Sequence, residues 1–321
     1  MKKNVYGLII LALVLAGVAA RPLRGYVTSR SLSGIDHQSI VSNKWLSSAP
    51  IVWTLDPTQG HNVTGSRSLA TVLNNAFGAW ASVVPINPVP GGDPTTAQGF
   101  NAYDGINFVT ANGKPGDLPV GVLAYTVTFY FDSPMTDQFN RTATFPGQIL
   151  EADTEFSSDF QFSTNTGATA GQVDLQSIAT HEVGHFLGMD HATNVSSTMF
   201  WQTPPGFINQ RNLSSDDIAG ISTVYPPATF ASTGTLSGTV RTTSNVPVYG
   251  AIVVAVDTNG VPVASAVTDP SGLYTIQGLP AGTYSVFAEP LSGRITAGNI
   301  GTLQTIYPSS SVYTNFTTRY H

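Results

Sequence analysis

Residues 181–191 read HEVGHFLGMDH and hold three of the chain's six histidines and one of its four glutamates. Residues four apart on a helix share a face, so His181 and His185 can direct ring nitrogens at one ion without distorting the backbone. Glu182 follows His181 by one position and is turned roughly 100° around the axis. It lies beside such an ion, where a carboxylate handles water instead of ligating metal. Gly188 lets the chain leave the helix sharply, because glycine takes positive φ where other residues resist. That bend allows His191 to fold back as a third nitrogen. Three neutral imidazoles leave a fourth position for water, the layout of a catalytic and not a structural zinc site. The plain alternative, histidines on an ordinary amphipathic helix, explains neither the spacing nor a third histidine after a helix-ending glycine.

Working outward, VDLQSIATHEVGHFLG (173–188) is predicted as a helix with Asp174 as N-cap and Gly188 as its stop. SRSLATVLNNAFGAWASVVP (66–85) places Leu69, Val72, Leu73, Phe77 and Trp80 on one helical face and ends at Pro85. PIVWTLDP (50–57), GINFVT (105–110), GVLAYTVTFYFD (121–132) and QILEADTEFS (148–157) are predicted strands, separated by Gly, Pro, Asn and Asp clusters. LSSDDIAGISTVYPP (213–227) is a third helix, capped by Ser214 and stopped by Pro226. PPATFASTG (226–234) is a linker. From 235 to about 290, short β-rich runs broken by TNG, DPSG and PAG follow one another at β-sandwich spacing.

With the zinc motif in place, HEVGHFLGMDH resembles the signature of the metzincin metalloproteases. Met199 in SSTMF stands where these enzymes place a methionine turn beneath the metal. Within that group the chain is most similar to the matrixin branch. GVLAYTVTF resembles its substrate-flanking edge strand and LSSDDIAGISTVYP its last catalytic-domain helix. The resemblance implies an α+β metzincin-type catalytic domain, a twisted mixed sheet with three helices, over 45–226. After a linker at 227–234, residues 235–321 form an all-β sandwich. In it DPSGLYTIQGLPAGTY is similar to the carboxypeptidase regulatory-like, transthyretin-like module, which carries no catalytic group and is expected to serve stability, surface attachment or substrate contact. A carbohydrate-binding face made by Tyr249, Tyr274 and Tyr284 competes with the reading of these tyrosines as core.

The resemblance also implies secreted zinc endopeptidase activity on protein or peptide substrates. Zinc on His181, His185 and His191 lowers the pKa of bound water towards about 7, and Glu182 is the general base that then protonates the leaving amine. Met199 packs as an apolar floor. FWQTPPGFINQRN (200–212) stands where the family builds the wall of the pocket beyond the cleaved bond, although an ordinary connecting loop fits equally. Two other readings compete: a zinc hydrolase acting on a non-peptide amide, and a non-catalytic surface or adhesion protein with a structural metal site. Glu182 argues against the second, since a structural site needs no base.

Some features depart from the animal matrixins. The chain has no cysteine, so latency through a propeptide thiol is absent or replaced. The family's second, structural zinc is not expected, because ADTEFSSD carries Glu155 where a histidine belongs and only His37, His61 and His321 remain elsewhere. Calcium on Asp153, Glu155 and Asp159 is the alternative for those acids, against plain solvated loop carboxylates.

MKKNVYGLIILALVLAGVAARP has the layout of a secretory signal peptide cleaved near Ala20, its apolar run being short for a membrane anchor. Residues 21–44 read as an extended arm or short pro-segment. The net charge of −6 is dispersed, with no basic run, which excludes nucleic acid as an evident partner. No later stretch suits stable membrane insertion, while cell-surface or matrix contact is open to the C-terminal module.

Overall fold

The computed structural model describes residues 23–24, 27–36, 39–291 and 293–320; the leader predicted over 1–20 lies outside them. The chain divides into two compact units. One comprises 43–188 and 202–212, the other 23–24, 27–36, 39–42, 189–201, 213–291 and 293–320.

In the first unit, helix α1 (Leu69–Ala81) buries Leu69, Val72, Leu73, Ala76, Phe77 and Trp80, the predicted face plus one alanine. Ser68 caps it by accepting the Thr71 N–H. It closes at Ser82, three residues short of the predicted stop at Pro85. Five strands form one sheet in the order Asn87–Pro90, Pro50–Leu55, Phe108–Thr110, Gln148–Phe156 and Ala124–Phe131. All neighbours are parallel except the last pair, which is antiparallel. The mixed sheet was expected; the strand at Asn87–Pro90 was not. Its two prolines argue against a strand, yet it lies at the sheet edge, where a missing N–H is tolerated.

Helix α2 (Leu175–Phe186) packs on this sheet through an aromatic series. Trp53 stacks on Phe77 at 5.0 Å, Phe77 meets Phe186 edge-on at 5.3 Å, and Phe186 stacks on Trp45 at 5.4 Å. Contacts of this kind contribute about 0.5–1.5 kcal/mol each beyond the area they bury.

The strand Gln148–Phe156 is buried along its whole length, its acids included. Asp153 accepts the N–H groups of Phe108 and Ala102. Glu151 accepts those of Asp104 and Gly105 and an ion pair from Arg141 at 2.8 Å. Burial nevertheless pushes the Asp153 carboxyl up to about 8. Glu155 is buried, its carboxylate occupying the space a Cβ at Gly113 would need, and Asp159 is exposed. The expectation of solvated loop acids is therefore corrected for Asp153 and Glu155. Neither do these two and Asp159 gather their oxygens at one point, as a calcium site needs.

In the second unit, Arg30–Leu32 and Ile40–Ser42, within the segment expected as an extended arm or short pro-segment, form an antiparallel hairpin. A three-stranded sheet has the order Leu23–Arg24, Leu273–Leu279, Gly234–Thr239, and a four-stranded one Pro262–Val267, Ala251–Val256, Ser285–Pro290, Arg319–Tyr320. The predicted linker contains a 3-10 turn at Ala228–Ser232. Helix α3 (Ser215–Val224) begins with a capping box between Ser214 and Asp217. A short helix that sequence did not suggest, α4 (Gly301–Ile306), follows the sheets. Its Leu303, with Ile300 before it, enters an apolar core containing Val27, Phe200, Tyr249, Ile252 and Val267. Tyr249 is thus core, and Tyr274 and Tyr284 are half-buried. No exposed three-tyrosine face forms.

Asp216 is fully buried in this unit. Its Oδ1 accepts from the Ser265 N–H and hydroxyl, while Oδ2 has no hydrogen-bond partner. Burial, reinforced by the neighbouring Asp217 carboxylate, pushes it up to about 7. The folded chain therefore keeps a proton that the unfolded chain releases above about pH 4. The resulting stability is full below that pH and is lost as pH rises towards 7. Between pH 5 and 8 this group should remove about 2 kcal/mol of stability. Asp216→Asn should flatten that pH dependence, as measured by urea unfolding at the two pH values.

Candidate metal centre

Helix α2 is fixed at both ends and in its middle. Asp174 caps it by accepting the Ser177 N–H at 2.7 Å and is itself gripped by both Nε and a terminal nitrogen of Arg211. Midway, the Trp80 indole N–H donates to the Thr180 carbonyl at 2.8 Å; at the end, that of Trp45 donates to the Phe186 carbonyl at 2.7 Å. Both bonds are buried. Each occupies a carbonyl of a helix that has little water around it, which a buried polar group requires.

On this helix His181 is buried and His185 half-buried. Their rings lie 4.7 Å apart at 83°, and their Nε2 atoms 3.1 Å apart. After Phe186 the chain turns through Gly188 at φ +91°, the glycine-requiring bend expected from sequence. A Cβ there would stand 2.0 Å from the Asn43 carbonyl oxygen. His191 follows, and the ring nitrogens of His181, His185 and His191 all lie within 4.8 Å of one another. Among the described residues no other group of three His, Asp or Glu side chains converges in this way. The donor set, three imidazoles, suits zinc. Both Nε2 atoms, 3.1 Å apart, can turn their lone pairs to one cation.

Glu182 is buried, 5% exposed. Its Oε2 accepts from the Thr126 hydroxyl at 2.7 Å, and Thr126 also meets Thr154 at 2.9 Å. Burial pushes the carboxyl up to about 7, opposed by the Thr126 bond; a dication nearby would draw it down again. Sequence missed Thr126. It lies on the edge strand Ala124–Phe131, 56 residues before Glu182, and no local pattern marks it.

Met199 is completely buried. Its carbonyl accepts the Ala192 N–H at 2.8 Å, folding the turn back towards His191. Asp217 holds that turn. It accepts the N–H groups of Thr198 at 2.8 Å and Met199 at 3.1 Å and the hydroxyl of Ser197, while also completing the cap of α3. The capping role is visible in sequence; the reach across 18 to 20 residues is not.

His191 is oriented from its other side. Its Nδ1 lies 2.7 Å from the Asn299 carbonyl oxygen. The Asp190 carboxylate accepts the N–H groups of His191, Gly301 and Thr302. Of the segment proposed as a pocket wall, Phe200 is buried in the second unit's core and the Trp201 indole N–H donates to the Arg294 carbonyl. The remainder keeps Pro204, Pro205 and Phe207 exposed, with the Gly206 N–H tied to the Gln172 carbonyl.

The matrixin family model matches residues 44–226, and the carboxypeptidase regulatory-like domain model matches residues 235–300. Metalloendoproteinase 1-MMP of Arabidopsis thaliana is 29% identical over 180 residues, covering 55% of this chain and 43% of that protein. Metalloendoproteinase 4-MMP of the same plant is 29% identical over 188 residues, covering 57% and 48%. Human matrix metalloproteinase-25 is 32% identical over 131 residues, covering 39% and 23%. The chain thus spans less than half the length of these curated relatives.

Gly188→Ala combines a positive φ with a contact against backbone, which has little room to yield. The backbone conformation alone costs about 1–3 kcal/mol in a residue with a side chain. The variant should lose at least about 2 kcal/mol by denaturant unfolding, and its zinc content after dialysis should fall with it.

Proposed function

Because the chain belongs to the matrixin family, we propose that it is a secreted zinc-dependent endopeptidase that uses Glu182 as its general base. The observation that carries this reading is the convergence of His181, His185 and His191 within 4.8 Å, with a buried carboxylate next in sequence to the first. These three side chains would hold the zinc through ring nitrogens. Bound there, zinc supplies a Lewis acid that polarises the scissile carbonyl and lowers the pKa of water from about 16 to about 7.

The protein's own groups do the rest. Glu182 accepts the proton of the attacking water and delivers it to the departing amine. Thr126 donates to Glu182 Oε2, which leaves the other carboxylate oxygen for that proton and fixes the side chain's rotation. Ala124–Phe131 is the outermost strand of its sheet, so its far edge offers backbone groups to an extended peptide, the pairing that gives affinity in strand-addition recognition. The exposed Pro204, Pro205 and Phe207 supply apolar surface for a substrate side chain.

The predicted leader at 1–20 directs export, and no helix among the described residues is long and apolar enough to cross a membrane. A module of the carboxypeptidase regulatory-like type suits contact with a cell surface or matrix.

The purified chain should bind one zinc and cleave casein or gelatin in a reaction that a chelator stops and zinc restores. Glu182→Ala should retain the metal and lose turnover by about 10²–10⁴-fold, the range for a positioned base. Turnover at the wild-type rate would remove Glu182 from that role, and chelator-insensitive cleavage would remove the metal from the reaction.

A further inference from the structure

We propose that the C-terminal segment around Asn299 is a positioning element for the metal centre: its backbone carbonyl sets the tautomer and orientation of His191. The inference rests on the reading of His191 as a zinc ligand.

The geometry is specific. His191 and Asn299 belong to the same compact unit, and Nδ1 stands 2.7 Å from the Asn299 carbonyl oxygen. A carbonyl only accepts, so Nδ1 must carry the proton. Nε2 is then the unprotonated nitrogen and presents its lone pair to the ion. Histidine ligands are commonly oriented through the nitrogen that does not bind metal, and such partners influence metal affinity strongly.

The carbonyl is not presented by a loose chain. A capping box between Thr296 and Asn299 closes a 3-10 turn at Ala297–Asn299, with Asn299 Oδ1 accepting the Thr296 N–H at 2.9 Å and its hydroxyl at 2.8 Å. Immediately after it, the Gly301 and Thr302 N–H groups are bound by Asp190, the residue before His191. The Thr302 hydroxyl donates to the Thr28 carbonyl at 2.9 Å, and the Asp190 N–H to that of Val27 at 2.7 Å. Ile300 and Leu303 are buried with Phe200, the residue after Met199. The third ligand and the methionine turn are therefore anchored to chain more than a hundred residues downstream. That chain overlaps and runs past the end of the regulatory-like match at residue 300. On this view the C-terminal module is part of the metal centre's support.

The test uses the full chain. In metal-free wild type, nitrogen-15 NMR of labelled histidine should show His191 protonated at Nδ1, with that proton protected from exchange. A His191 protonated at Nε2 would overturn the proposal without any variant. Zinc affinity, measured by competition with a chromogenic chelator, provides the second arm. Thr296→Val combined with Asn299→Ala should weaken zinc binding about tenfold, the lower end of what losing an outer partner costs, since the carbonyl itself remains. Asn299→Asp, which keeps an acceptor oxygen, should restore it. Unchanged zinc affinity and an unchanged His191 tautomer in the double variant would reject the assignment. Wild type that binds no zinc would instead reject the metalloenzyme reading, and the tautomer measurement would still decide the role of Asn299.

Discussion

The metal centre depends on one backbone constraint, the end of helix α2 at Gly188. The helix supplies two nitrogens because its period places His181 and His185 on one face, but no helix can supply a third from His191 while continuing. The chain must reverse within a few residues, and it does so at φ +91° with the Asn43 carbonyl filling the space where a side chain would stand. Glycine is thus required twice at one position, for its torsion and for its absent Cβ. The surrounding contacts then have a common purpose. Trp80 and Trp45 hold the helix through Thr180 and Phe186, Asp217 holds the methionine turn, and Asp190 with Asn299 holds the segment after the bend.

Local physics was legible in the sequence. The apolar face of α1, the Asp174 and Ser214 caps and the pairing of His181 with His185 on one helical face all follow from neighbours within four residues of one another, while the edge position of Ala124–Phe131 was implied by resemblance alone. Relations across distance were not. Thr126 donates to Glu182 over 56 positions and His191 meets Asn299 over 108; in each, one partner is a common polar residue or a backbone atom without a sequence signature. Asn87–Pro90 hid for a different reason: proline argues against a strand unless the strand is known to be an edge, and that is known only once the sheet is assembled. The same limit applies to Tyr249 and Phe200, whose aromatic character does not say which surface they face.

The buried acids show how a carboxylate's neighbours decide its function. Asp153 and Glu151 spend their oxygens on backbone N–H groups that the loop at 102–108 would otherwise leave unpaired, so they organise that loop and are poorly placed to take a hard cation. Asp217 works likewise for the methionine turn. Glu182 differs. Its one side-chain donor here is Thr126, on Oε2, and its burial favours the proton-bearing form. On the proposed reading, in which Glu182 accepts and releases a proton, such a balance is what the role requires.

Supporting a metal ligand from a distant part of the chain has a thermodynamic consequence. If Asn299 and Asp190 hold His191 in the metal-binding orientation, then by linkage bound zinc must stabilise the arrangement of 296–303 to the same degree. The packing of Ile300 and Leu303 with Phe200 extends that coupling into the core of the second unit. With no cysteine in the chain, no disulfide can secure the C-terminal segment, and that stability must come from elsewhere. Sharing hydrogen bonds and core residues between the His191 loop and the C-terminal segment serves both needs, since on the proposed reading the bound ion would also help to hold the module's end in place.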